Sequence, residues 1–238
     1  MSEVLLYDLP SKGRCACWSS NPWKTRMVLN YKNIPYKTEF IEYPDVAPTL
    51  KSFGLPPNED STPYTIPTIR DANGKYIMDS RKIVVELERQ YPEPSLHLDS
   101  PLLAKVEELF RKAIRPLMAV ILPRVPRNIL REPSAEYFER TREERLGMPL
   151  AQLEKELGGN KGWEEATPYL KETGDILRAE GGPFLLGKTV SYGDIIIVTF
   201  LHFCKRVDDK FFERAIEIEP AFKKLYDASQ AWLERDDH

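Results

Sequence analysis

At 238 residues the chain can hold a small domain and a mid-sized one, and 42% apolar with 30% charged residues is an ordinary globular balance. Its 34 basic and 37 acidic side chains leave a formal charge of -3, which gives no electrostatic pull toward nucleic acid or an anionic membrane. Three cysteines make no disulfide framework, the Met1–Leu6 start lacks a signal peptide's basic and apolar regions, and Ile195–Val198 is too short a run to span a bilayer, so a reducing cytoplasm is the expected location.

Residues 3–8 read as a short buried strand that Pro10 ends. Asn21 followed by Pro22 looks like an N-cap and a proline at the first helical position. Trp23, Met27 and Tyr31, with Val28 beside them, share one face of the helix that follows. Residues 36–43 return to strand composition, which completes a right-handed βαβ unit. From Pro44 to Pro67 the chain holds six of its 20 prolines, leaving room for a short helix near 45–52 and then an irregular loop from Ser52 to Thr65. Asn73-Gly74 between two short runs is a strong hairpin signal. Ser80 is placed to cap a helix whose Ile83, Val84, Leu87 and Tyr91 form one stripe.

Pro92, Pro94 and Pro101 mark a linker, and beyond it no convincing strand follows. Helical patterns run over 102–121, 133–157, 164–180, 191–206 and 219–235. The expected organisation is therefore an α/β domain over 1–92 in the order βαβαββα, a linker at 93–100, and an all-helical domain over 101–238.

Three local patterns carry chemistry. In Trp18-Ser19-Ser20-Asn21-Pro22-Trp23-Lys24-Thr25-Arg26 a hydroxyl stands beside a helix N-terminus, where free N–H groups and the dipole favour an anion such as a thiolate. The same serines would also serve as plain helix caps. In Tyr64-Thr65-Ile66-Pro67, a cis bond before Pro67 would turn the Ile66 N–H and C=O toward a peptide-like ligand. Asp79-Ser80 at the next helix start suits an amino-acid head group, Ser80 for the carboxylate and Asp79 for the ammonium, again with N-capping as the alternative.

In this order and spacing the three patterns resemble the thioredoxin-like domain of cytosolic glutathione transferases. The Ser19–Arg26 turn is similar to the Ser-Ser-Cys-x-x-Arg turn of the zeta class, with Asn21 in place of Cys, which argues against a maleylacetoacetate isomerase. It also resembles the Ser-Pro-Tyr-x-Trp-Arg-Thr-Lys turn of bacterial lignin β-etherases, and the Trp-Lys-Thr-Arg tetrad with the proline-rich loop brings it nearest the etherase-like fungal FuA class. The resemblance covers residues 3–92 and returns at 187–204, where Ser191-x-x-Asp194 matches the family's capping box.

The resemblance implies a thiol-activating serine at Ser19, with the basic Lys24 five positions on, and a glutathione site of Ser19, Ser20, Thr65, Ile66, Pro67, Asp79 and Ser80. Glutathione is then a co-substrate, and no metal is implied. Asn21 and Pro22, with Met118, Ile121 and Leu122 from the first C-terminal helix, would hold a hydrophobic aromatic electrophile, and cleavage of an aryl ether is one reaction such attack permits. Ile114 and Leu117 offer similar apolar surface. A homodimer is the family expectation. Two rival roles remain: a ligandin that binds aromatic compounds with little turnover, and a non-catalytic interaction module. Cys15, Cys17 and Cys204 and the scattered His97, His202 and His238 lack metal-ligand spacing, and the Glu139–Arg145 charges read as a solvated helix face.

Overall fold

The computed structural model describes residues 3–59 and 62–237. Part of the loop expected from Ser52 to Thr65, and His238, therefore lie outside the described residues. Strands β1 (Val4–Asp8), β2 (Tyr36–Phe40), β3 (Thr68–Arg70) and β4 (Tyr76–Met78) form one sheet in the order β2-β1-β3-β4. β1 and β2 pair in parallel, with Leu6 opposite Thr38, while β3 runs antiparallel to both β1 and β4. Helices α1 (Ser20–Tyr31), α2 (Tyr43–Ser52) and α3 (Ser80–Gln90) complete the expected βαβαββα order. The antiparallel β3–β4 hairpin turns at Asn73-Gly74, where Gly74 takes φ +86° and Asp71 accepts the Asn73 and Lys75 amides at 2.9 Å each.

The C-terminal part is helical, and its long central helix explains why. In α9 (Tyr192–Val207) 13 of 16 residues are buried, so this helix is apolar on every side and must be surrounded. It packs against α1 of the first domain, against α4 (Pro101–Ile121), and against α10 (Asp209–Ile218) and α11 (Ala221–Ala228). α4 in turn lies along α8 (Asn160–Ala179), where Gly162 lets the Pro116 carbonyl approach to 2.9 Å of the position a Cβ would take. At the start of α9, Asp194 accepts from the Ser191 N–H at 2.8 Å, the Ser191 O–H at 2.7 Å and the Leu185 N–H at 2.8 Å. The expected capping box is thus present.

Several boundaries differ from the sequence reading. α1 starts at Ser20 with Ser19 as N-cap, so Asn21 is not the cap and Pro22 occupies the third helical position. Proline is tolerated there because that N–H has no helical partner. β2 stops at Phe40, and Tyr43 already belongs to α2. The pattern over 133–157 is two helices, α6 (Glu132–Leu146) and α7 (Leu150–Leu157), because Gly147 at φ +75° ends the first and Pro149 precedes the second. The short α5 (Arg124–Asn128) and α10 were not expected, and the last segment is α11 followed by a single 3-10 turn at Gln230–Trp232.

Candidate functional site

The turn that leads into α1 is held from three directions. Ser11 Oγ accepts from the Ala16 N–H at 3.1 Å and donates to the Ala16 C=O at 3.0 Å. The Trp23 indole N–H donates to the Cys17 C=O at 3.2 Å, and the Cys17 N–H donates to the Asp236 C=O at 2.8 Å. Below it, the buried Arg26 guanidinium donates to the Asp8 carboxylate at 2.9 Å and to Thr38 Oγ1 at 3.0 Å, with both members of the ion pair fully buried. The turn therefore cannot drift, and Ser19 projects from a fixed support.

Ser19 has extended backbone angles (φ -80°, ψ 138°), and its side chain makes no capping hydrogen bond. Among the described residues neither the Ser19 nor the Ser20 hydroxyl is taken by another side chain or by backbone, and both residues line a cleft of about 780 Å³. That volume is in the range of small-molecule sites, roughly 300–1,000 Å³. Asn21 lines it too, its Oδ1 accepting from Lys24 Nζ at 3.0 Å. Burial pushes the Lys24 ammonium down, opposed by the charges of Asp79 and Glu107; Asp79 and Ser80 are not themselves among the residues that line the cleft.

The peptide bond before Pro67 is cis, as expected. Thr65 and Ile66 both line the cleft. Thr65 is tied down by the Thr68 hydroxyl, which donates to its C=O at 3.1 Å, and its own N–H meets Met78 Sδ at 3.2 Å. The Ile66 N–H and C=O make no hydrogen bond among the described residues, which is unusual for a residue only 9% exposed. Pro67 plays a different part: it is buried, does not line the cleft, and its C=O accepts the Asp79 N–H at 3.2 Å, joining the cis turn to the start of α3.

Asp79, not Ser80, caps α3. Its Oδ1 accepts from the Arg81 and Lys82 N–H groups at 2.8 and 3.1 Å, from a backbone held at φ +86°. Such an angle in a non-glycine residue is uncommon and tends to mark a site where orientation matters. Ser80 is half-buried, and its hydroxyl approaches the Tyr192 phenol, which burial pushes up. Arg81 lies over the Tyr192 ring at 5.5 Å and pairs with Glu107 at 3.4 Å.

Of the five residues expected to hold an electrophile, Asn21, Met118 and Leu122 line the cleft. Ile121 does not: it is fully buried, because Ile114, Met118 and Leu122 form one ridge of α4 toward the cleft while Leu117 and Ile121 form the next, toward the core. Pro22 is also buried inside the first domain and is absent from the wall. α9 adds Ile196, Phe200 and Phe203, the last stacked obliquely on Trp18 at 6.1 Å.

Two contributors escaped the sequence reading, α2 and α6. Tyr43 from α2 and Tyr137, Phe138, Thr141, Arg142 and Arg145 from α6 form an aromatic and cationic stretch of the wall. The expected solvated face holds for Glu139, Arg140, Glu143, Glu144 and Arg145, which are exposed, whereas Arg142 is half-buried. The usable signal was Phe138 four residues before Arg142, a spacing that sets a guanidinium over a ring. Burial pushes the Cys17 and Cys204 thiols up, so neither of these two supplies a reactive thiolate. Among the described residues no three potential metal ligands gather, and no helix is long and apolar enough to cross a membrane.

Comparison with known proteins agrees with this geometry. The glutathione S-transferase N-terminal domain family matches residues 18–90, and the glutathione S-transferase C-terminal domain family matches residues 102–227. The glutathione S-transferase-like protein ustS of Aspergillus flavus is 34% identical, with 98% of this chain and 92% of that protein covered. Glutathione transferase GSTFuA2 from Phanerochaete chrysosporium superposes with a TM-score of 0.88 at 28% identity over the whole of both chains. A glutathione S-transferase of Ceriporiopsis subvermispora, solved in complex with glutathione, is 33% identical with a TM-score of 0.76, covering 94% of this chain and 98% of its own. With both domain families matched and similarity running the length of the chain, the protein belongs to the glutathione S-transferases and is similar to fungal members of the FuA type.

Proposed function

We propose that this chain is a serine-type glutathione transferase in which the Ser19 hydroxyl stabilises the glutathione thiolate for attack on hydrophobic aromatic electrophiles. The observation that carries this reading is a hydroxyl at the N-terminus of α1 that caps nothing and faces the cleft. Free cysteine-type thiols have a pKa near ~8.5, so at neutral pH only a few per cent is thiolate. A hydroxyl donor and a helix N-terminus both favour the anion.

The remaining glutathione contacts fall to Thr65 and Ile66 in the cleft wall and to Pro67, Asp79 and Ser80 outside its lining. The unpaired Ile66 amide and carbonyl are suited to the cysteinyl backbone, Thr65 and Pro67 hold that segment in place, and Asp79 with Ser80 takes the γ-glutamyl end beside Lys24. Ser20, with its free hydroxyl next to Ser19, supports the sulfur site. In the reaction the sulfur lone pair forms a C–S bond, the bond from that carbon to the leaving group breaks, and the leaving group departs with the electron pair. With an aryl ether the leaving group is an aryloxide, which then takes up a proton.

The size of the cleft and its aromatic stretch at Tyr43, Tyr137 and Phe138 also favour a ligandin role, in which aromatic compounds bind with little turnover. Titrating the thiolate absorbance of bound glutathione separates the two. A bound-thiol pKa well below the free value, with turnover of an aryl halide or β-aryl ether, supports the transferase. Displacement of a fluorescent aromatic dye with an unshifted thiol supports the ligandin.

A further inference from the structure

Among the described residues, the cleft wall made by α6 and α2 contains a cation that no carboxylate answers. Lys24, Arg142 and Arg145 line the cleft against a single acid, Glu144, which is paired with Arg140 at 3.0 Å. Lys24 has Asp79 and Glu107 as countercharges. Arg142 has neither kind of relief. Its guanidinium lies 4.0 Å over the Phe138 ring and 5.4 Å from the Tyr43 ring, and its Nη1 donates to Thr141 Oγ1 at 3.0 Å. Its Nε–H is buried without a hydrogen-bond partner.

Among the described residues, the groups that face Arg142 are Tyr43, Tyr137, Phe138, Thr141 and Arg145, and none of these is an acid. Burial and the neighbouring Arg145 push the Arg142 guanidinium down, while burial pushes the Tyr43 phenol up, so Tyr43 supplies no negative charge at neutral pH. A desolvated guanidinium without an anion is costly. Its Nε edge offers two parallel N–H donors, the geometry a carboxylate takes. Tyr43 and Tyr137 stack at 6.1 Å with their planes 10° apart, which gives an aromatic surface beside that edge.

We propose that the second substrate at this cleft is an aromatic acid, whose carboxylate pairs with Arg142 while its ring packs against Tyr43, Tyr137 and Phe138. The proposal rests on the glutathione-transferase reading of the same cleft and narrows its substrate class from hydrophobic aromatics to anionic ones. It also makes Arg142 a specificity-determining residue that acts apart from Ser19.

The test uses glutathione-saturated protein and two probes, 3,5-dinitrobenzoate and its methyl ester, with binding read from quenching of tryptophan fluorescence; Trp18 lies in the cleft wall. A hydrogen-bonded charge pair is expected to favour the acid over the ester by about tenfold to a hundredfold. Arg142→Met should abolish that ratio, and Arg142→Lys should keep part of it. An ester that binds wild-type protein as tightly as the acid, or a preference that survives Arg142→Met, overturns the proposal. Should Arg142→Met fail to fold, the wild-type ratio and Arg142→Lys decide the matter. Because binding is read without turnover, an acid preference beside an unshifted thiol pKa would sink the transferase reading alone, and a shifted pKa without acid preference would sink only this one.

Discussion

Replacing Ser19 by Ala deletes one hydroxyl and leaves the N-terminus of α1 in place, so the two sources of thiolate stabilisation come apart. The hydroxyl is worth roughly 1.5–3 kcal/mol to an anion, and the helix N-terminus adds about 0.3–1 kcal/mol. At ~1.36 kcal/mol per pKa unit, the hydroxyl lowers the bound thiol by about 1–2 units and the helix by less than about one. From a free value near ~8.5, wild-type protein should titrate its bound thiol at roughly 6–7, and Ser19→Ala at about 8. Desolvation in the cleft raises both values alike, so the difference is the firmer quantity. Because the folded-site pKa is depressed, turnover is present above it and lost as pH falls through it. The acid limb of kcat/KM should therefore move up by about 1–2 units in the variant. Glutathione affinity should change far less. Stability should also hold: an N-cap serine that makes its side-chain bond is worth about 1 kcal/mol, and Ser19 makes none. The assay is thiolate absorbance of bound glutathione against pH, alongside the kinetic profile. Ser19→Ala protein whose bound thiol titrates where the wild type does refutes the assignment, whatever happens to the rate.

Asp79→Ala should cost roughly 1 kcal/mol, since Oδ1 caps two N–H groups, whereas Asp79→Gly should cost only a few tenths because glycine accepts φ +86° readily. If the carboxylate holds the ammonium, glutathione affinity falls in both variants; undiminished affinity by calorimetry in Asp79→Gly removes Asp79 from the head-group site. Arg26→Met should destabilise by roughly 3–5 kcal/mol in urea unfolding, because it strands the buried Asp8 carboxylate. Adding Asp8→Asn should recover part of that loss, and simple additivity of the two changes would contradict the pairing. His202, pushed down to about 3 by burial and by Lys205 and Arg206, stays neutral in the fold. As pH falls from ~6.5, the unfolded chain takes up its proton and the folded chain does not, so stability is lost by up to ~1.4 kcal/mol per pH unit. Asp194, pushed up to about 6 by burial, has the opposite slope, with stability lost as pH rises from about 4 to about 6. Thermal melts of His202→Gln against wild type across this range isolate the histidine; equal slopes in both would place the acid sensitivity elsewhere.

The first domain was legible because its turns are written in residues with few alternatives. Asn73-Gly74, Pro67 and the serine-rich turn each fix a local geometry, and they fall in an order that only one sheet topology accommodates. The exact caps were less legible. Asp79 and Ser80 are both good N-cap residues, and what selects Asp79 is a positive φ imposed by its link to Pro67, a tertiary fact. The C-terminal helices were visible by periodicity where one face is apolar, as in α4. In α6 most of the charges are exposed as expected, and the cleft-facing role of Arg142 was missed because this helix turns aromatic rings and a guanidinium, not an aliphatic stripe, toward the cleft. For the same reason Met118 and Ile121 could not be told apart: only the angle at which α4 meets its neighbours decides which ridge faces the cleft.

The C-terminal segment reaches back across the molecule. Arg14 is gripped by Asp236 and Asp237, Asn30 donates to the Trp232 and Arg235 carbonyls, and the Arg235 guanidinium stacks 4.0 Å over Tyr36. The Arg14–Asp236 pair joins residues 222 positions apart, and it lies in the loop that sets the Ser19 turn. β1 and α1 precede residues 232–237 in the chain by the whole helical domain, so the loop before Ser19 acquires these ties only after that domain has been made. A chain clipped before residue 232 would therefore keep the sheet and α1 while losing the ties that settle the turn carrying Ser19.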